Sequence, residues 1–124
     1  MAISKDFTDK CTQTDIDDNK GLSVLSYMPL LVIIPLITGR ESKFVRFHTN
    51  QGLLLTLAGF GGSALLSLFN KIAGIEQIVL VMFIFMAAVL AVFSCIGIVN
   101  VLRGKAKELP FIGGFRFFKD TDFD

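Results

Sequence analysis

IVLVMFIFMAAVLAVFSCIGIVNVL, residues 78–102, runs for about 25 residues without an Asp, Glu, Lys, Arg or His. At 1.5 Å per residue a helix of that length spans roughly 37 Å, enough to cross a hydrocarbon core of about 30 Å at a tilt. In water such a helix would need burial on every side, and a 124-residue chain has little else with which to cover it. The stretch therefore predicts a membrane span. It sets the solvent in which the remaining sequence is to be read.

Upstream of a short polar turn at 70–77, Leu53 to Phe69 is a second apolar run, and Leu22 to Thr38 is a third. The last is about 17 residues, near the lower limit for a crossing, and Pro29 and Pro35 within it predict kinks. Ser42 is placed to cap a helix in which Phe44, Phe47, His48 and Gln51 recur at helical spacing, with Lys43, Arg46 and Asn50 elsewhere round the turn. Residues 42–52 read as an amphipathic elbow at the headgroups, phenylalanines dipped into acyl chains and cations toward phosphates. Downstream, residues 103–124 mix cations with aromatics and are interrupted by Pro110 and Gly113-Gly114, as a broken interfacial arm would be. The expected fold is all-α: a polar acidic tail (1–21), a three-span membrane domain (spans 22–38, 53–69 and 78–102), and the basic, aromatic arm with its acidic end.

Composition agrees with bilayer burial, with 52% hydrophobic residues, 13 Phe and a mean hydropathy of +0.64. The net charge of +1 conceals an acidic start and cations gathered after the first and third apolar runs. Counting basic residues on either side of three spans puts the N-terminus outside and the C-terminus in the cytoplasm of a bacterial inner membrane. No cleavable leader is legible, and the first span would anchor the chain. Cys11 and Cys95 lack metal-knuckle spacing and are expected to be free thiols.

No residue set identifies a reaction. Gly59, Gly61 and Gly62 follow no strand, so a dinucleotide site is rejected, and the serines have no base at a recognisable spacing. Asp15, Asp17 and Asn19 have the alternation that opens a calcium loop but lack its glycine and closing glutamate, so a solvated acidic tail is expected; the alternating Asp120, Asp122 and Asp124 suit a soluble chain end. No metal, cofactor or small-molecule ligand is assigned. His48, the lone histidine, suits an interfacial hydrogen-bonding role better than metal binding. With Lys43, Phe44, Arg46, Phe47, Asn50 and Gln51, and with Arg103, Lys105 and Lys107 beyond the last span, it forms the expected headgroup or partner surface. Anionic lipid explains these cations more simply than nucleic acid does. Ala58, Gly59, Gly62, Ser63 and Ser67 on one span, and Ala87, Ala91 and Cys95 on the other, make small-residue grooves for close helix packing, within the chain or between copies.

Three blocks carry a family resemblance: DIDDNKGLSVLSYMPLLVIIPLI at 15–37, SKFVRFHTNQGLLL at 42–55, and IVNVLRGKAKELPFIGGFRFFK at 98–119. Together they resemble small, uncharacterised bacterial membrane proteins related to the twenty-kilodalton import subunit of the chloroplast inner envelope. RFHTNQG departs from that family's RFHANQG at Thr49, and GKAKELP matches its pattern. The resemblance implies a compact helical membrane unit and, distantly, a part in protein translocation, although the plastid relatives have four spans against three here. The expected function is a non-enzymatic accessory or interaction subunit of a membrane assembly, with the lipid bilayer and a membrane-protein partner or a second copy as its contacts. A small oligomeric transport or import component is the alternative, and protection against membrane-active toxins a third.

Overall fold

The structure is a computed structural model that describes residues 6–107 and 109. A turn of 3-10 helix (Thr8–Lys10) precedes four α-helices: α1 (Gln13–Leu25), α2 (Ile33–Thr38), α3 (Lys43–Phe69) and α4 (Glu76–Leu102). The chain is helical as expected, but it has two helices long and apolar enough to cross a membrane, α3 and α4, where three spans were read from sequence. Each has 27 residues, roughly 40 Å of helix. Their surfaces are largely exposed and apolar, Phe85 being 71% and Leu65 59% accessible. A hydrophobic helix with no protein around it calls for an acyl environment.

The first apolar run is broken in two. Pro29 has no N–H to give to the Leu25 carbonyl, and α1 closes instead with tighter bonds: Ser26 N donates to Ser23 O at 3.1 Å and Met28 N to Leu25 O at 3.2 Å. Leu30 then takes a positive φ of 69°, a left-handed conformation that costs a leucine ~1–2 kcal/mol and reverses the direction of the chain. The helix beyond it, α2, has six residues and is roughly 9 Å long, far short of a bilayer core. The acidic start is also more ordered than a tail. Residues 13–25 form α1, capped by Thr12 Oγ1, which accepts from Asp15 N at 3.2 Å.

α3 begins where the sequence placed it, with Ser42 Oγ accepting from Val45 N at 3.1 Å. It is one continuous helix, however, with no elbow between 42–52 and the apolar run. α4 ends because Gly104 adopts a φ of 70°, while Lys105 N donates to Asn100 O at 2.8 Å, a glycine-terminated C-cap that turns the chain back over the start of α3. There it meets the beginning of the protein: Phe7 N donates to Ala106 O at 2.7 Å, and Ala106 N donates to Thr8 Oγ1 at 3.0 Å. The segments before α1 and after α4 therefore lie at the same end of the α3–α4 hairpin. Opposite sides for the two ends require an odd number of crossings, so the expected outside N-terminus with a cytoplasmic C-terminus finds no support in a hairpin of two long helices. Of the expected arm, residues 103–107 and Leu109 are this return; Pro110, Gly113, Gly114, Asp120, Asp122 and Asp124 lie outside the described residues.

The core sits at that same end. Ile16, Tyr27, Phe44, Phe47, Leu55, Val101, Ala106 and Leu109 pack into one cluster drawn from α1, the turn after it, α3, α4 and the return segment. The described residues thus form a compact head at one end of a two-helix hairpin.

Cys11 and Cys95 are both free thiols. Cys95 is exposed on α4, whereas half-burial of Cys11, with the Asp15 carboxylate nearby, pushes its thiol up to about 11. Only the thiolate alkylates, so in a Cys95→Ala protein iodoacetamide should modify Cys11 very slowly near neutral pH. The rate should rise about tenfold per pH unit through pH 9 and level off only near 11. A plateau already reached at pH 9 would contradict the burial.

Candidate functional site

The head contains the residues singled out in the RFHTNQG block, and it holds them differently from an interfacial elbow. Phe44 and Phe47 are 0% and 2% accessible, buried against protein and not dipped into acyl chains. His48, Thr49, Asn50 and Gln51 are buried with them. Helical spacing places Phe44, Phe47 and His48 on the face that α1 and the return segment cover. Three aromatic rings surround the imidazole, Phe44 at 4.6 Å, Phe47 at 5.3 Å and Tyr27 at 5.5 Å between centroids, all edge-on.

The hydrogen bonds of His48 define its tautomer. Nε2 lies 3.0 Å from the Lys105 carbonyl, which can only accept, so Nε2 carries the hydrogen. In the neutral ring Nδ1 is then the acceptor, and the Tyr27 hydroxyl, 2.6 Å away, donates to it. One side chain thus ties the turn after α1 to the segment after α4. A second tie runs in parallel: Leu109 N donates to Gln51 Oε1 at 3.0 Å. Ser26 and Thr49 share a hydroxyl hydrogen bond at 3.3 Å, and Asn100 Nδ2 reaches the Lys107 carbonyl at 3.5 Å. Buried polar groups are stabilising only when paired, and all of these pairs except Asn100–Lys107 connect segments more than 20 positions apart.

Asp15 contributes a link of another kind. Its carboxylate accepts from Ser42 Oγ at 2.5 Å and from Phe44 N at 3.2 Å, so α1 lends a negative charge to the N-terminus of α3. Asn19 Nδ2 donates to the same carboxylate at 2.9 Å and holds it in place. A solvated acidic tail was expected here; a capping carboxylate is found. Nothing in the spacing of Asp15, Asp17 and Asn19 distinguishes the two, because the partner lies more than 25 positions away.

The cations remain at the surface of this end: Lys43, Arg103, Lys105 and Lys107 are exposed, and Arg46 is half-buried with Nη1 donating to the Arg40 carbonyl at 2.9 Å. The small residues divide. Gly59 and Gly62 face α4, where an added Cβ would sit 3.2 Å from Leu90 Cδ1 and 2.5 Å from Met86 Sδ. Ser63 and Ala87 line a groove of about 250 Å³ between α3, α4 and the Tyr27–Pro29 turn. Ala58, Ser67, Ala91 and Cys95 are exposed on the hairpin's outer surface, and Ser67 Oγ donates to its own helix at the Ser63 carbonyl. Among the described residues no three His, Cys, Asp or Glu side chains converge as a metal centre requires. The head is a clasp that closes the described segments before α1 and after α4 over the start of α3.

The sequence relationships bear on what such a clasp serves. The model of the magnetosome magnetite crystal formation protein family matches residues 18–118, from within α1 past the return segment. The chain belongs to that family. It is 34% identical over 91 residues to magnetosome protein MmsF of Paramagnetospirillum magneticum strain AMB-1, covering 73% of this chain and 78% of that protein. It is 30% identical over 91 residues to magnetosome protein MamF of the same strain, covering 73% of this chain and 76% of the relative. No solved structure matches. The likeness to relatives of the chloroplast import subunit is therefore corrected: RFHTNQG and GKAKELP fall within the span matched by the magnetosome family, and no relationship to the plastid translocon is found.

Proposed function

We propose that this protein is a non-enzymatic component of the magnetosome membrane that supports magnetite crystal formation as an accessory or interaction subunit, with its head on the cytoplasmic face. The observation that carries the reading is family membership over residues 18–118, joined to a fold whose only elaborated part, among the described residues, is that head. Two crossings by α3 and α4 leave the head, both described chain ends and the exposed cations on one side. Of the chain's 12 lysines and arginines, Lys71 is the one in the loop between the long helices. Basic residues are retained on the cytoplasmic side during insertion, which favours the head-inside orientation strongly over its inverse. The buried polar pairs of the head hold segments together, and the one hydroxyl–imidazole pair, Tyr27 with His48, is closed off from solvent, which supports a reading of scaffolding and contact.

The test is genetic. Deleting the gene in its host, with a tagged copy for localisation, should give smaller or misshapen magnetite crystals and a tag concentrated on magnetosomes. Crystals of unchanged size, with the tag spread evenly over the cell membrane, would overturn the proposal. A reporter fused after Leu109 should be active only in its cytoplasmic form; activity in the opposite compartment would overturn the orientation.

A further inference from the structure

The break at Pro29 leaves an apolar surface whose position is informative. Leu30, Ile33 and Ile37 are 66%, 50% and 63% accessible, and Met28, Leu31 and Ile34 are exposed beside them. This turn and the short α2 cannot cross a bilayer, and both of their ends are fixed in the head. On one side Tyr27 is bonded to His48; on the other, Gly39 leads through Ser42 to the Asp15-capped start of α3. The surface therefore reaches one leaflet only, the leaflet on the side of the head. Arg40 and Lys43 come directly after it and are exposed, the arrangement in which an apolar segment enters acyl chains while cations meet anionic headgroups. At the other end of the hairpin, α3 and α4 are joined by six residues, 70–75, with no comparable structure.

We infer that the protein is wedge-shaped in the membrane and selects bilayer bent so that the face bearing its head is convex. The occupant of the exposed Met28–Ile37 surface is the acyl region of that one leaflet. A six-residue helix lying flat adds roughly 90 Å² to one leaflet and nothing to the other. Leaflet mid-planes are about 15 Å apart, so in a vesicle about 40 nm across the outer leaflet exceeds the inner by roughly 16% in area. At about 400 nm the excess is only ~1.5%. The inserted turn thus fits the outer leaflet of a small vesicle and strains a flat one. The inference rests on the two-span reading of α3 and α4 and goes beyond the role in crystal formation. With the head cytoplasmic, it would enrich the protein on any compartment that bulges into the cytoplasm.

The experiment uses the full chain with an N-terminal epitope, reconstituted into mixed phosphatidylethanolamine–phosphatidylglycerol vesicles spanning about 40 to 400 nm in diameter. Protein per lipid is read vesicle by vesicle, and protease added outside reports which face bears the epitope. The expected result is a several-fold higher density on the smallest vesicles, with the epitope predominantly outward there. Leu30→Ser and Ile37→Ser change exposed positions and should abolish both biases while leaving helical content intact. Equal density and random orientation of the unaltered protein at all sizes would overturn the inference, as would variants that keep the preference. Efficient crosslinking between copies through Ile37→Cys, in a chain lacking Cys11 and Cys95, would assign the surface to a second copy and overturn it too. None of these readouts involves magnetite, so failure here is distinct from failure of the crystal-formation role. Extraction of the protein by alkaline carbonate would remove the two-span premise and the inference together.

Discussion

Gly52→Ala should lower stability by ~2–4 kcal/mol, more than any other single added methyl group among the described glycines. Gly52 lies on the buried face of α3 directly beneath the end of α1, where an added Cβ would overlap the carbonyl carbon and oxygen of Ser26. The obstacle is backbone, which cannot rotate aside as a side chain would, so α1 must be pushed off α3. That displacement propagates, because the next residue, Tyr27, donates to His48 and packs its ring against Gly97, where an added Cβ would also collide. Gly62, by contrast, is opposed by the flexible thioether of Met86, and the same change there should cost much less. Gly21 gives the opposite sign. It is exposed within α1 with no atom within 4 Å of an added Cβ, so Gly21→Ala should stabilise by ~0.5–1 kcal/mol through helix propensity. Reversible unfolding in mild detergent, monitored by far-UV circular dichroism, measures all three. A Gly52→Ala protein within about 0.5 kcal/mol of the parent would mean that α1 does not pack on α3 as described.

The range over which each signal acts explains which features were legible in the sequence and which were hidden. The apolar runs at 53–69 and 78–102 are local signals, and the two long helices stand where the runs are, the second starting at Glu76. The Ser42 cap is local too, and it was readable. The run at 22–38 misled because hydropathy measures what a segment avoids and not whether it is straight; Pro29 signalled a kink, but the full reversal depends on Leu30 accepting a strained φ. Losing that one span removes the odd number of crossings on which the expected opposite sides of the two ends depended. In the head, the RFHTNQG residues were read as an amphipathic elbow at the headgroups, with His48 in a hydrogen-bonding role. Their burial was illegible, since it depends on the return at Gly104 bringing Lys105 and Leu109 over His48 and Gln51 from nearly 60 residues away. A glycine before alternating cations suits a turn or an interfacial arm equally, and only the partner distinguishes them. Asp15 was missed for the same reason.

His48→Leu should open the clasp, and the opening should be visible at a defined bond. The substitution removes both hydrogen bonds of the imidazole and leaves the Tyr27 hydroxyl and the Lys105 carbonyl without it in a site where His48 is fully buried. Each orphaned buried group costs ~1–3 kcal/mol, so a total loss of ~2–4 kcal/mol is expected after partial relaxation. Tyr27→Phe, which orphans only Nδ1, should cost about half as much, and the double variant should cost less than the sum because both changes break the same bond. The local readout is tryptic cleavage after Lys105, whose own carbonyl is the acceptor, and after Lys107, whose carbonyl is met by Asn100. While the clasp is shut, that backbone is bonded on both sides and unsuited to a protease cleft. Cleavage then tracks the population in which the segment has lifted, and a destabilisation of ~2 kcal/mol confined to the clasp corresponds to roughly thirtyfold faster cutting. Gln51→Leu should add to the effect, since it frees Leu109 N from a separate acceptor. The span helices should be untouched, so far-UV helicity at low temperature should be unchanged. Faster cleavage with intact helicity would locate the polar pairs in the closure of the head. Unchanged cleavage in His48→Leu would mean that the return segment is held by apolar burial of Ala106 and Leu109 alone, and that the histidine is not the fastening.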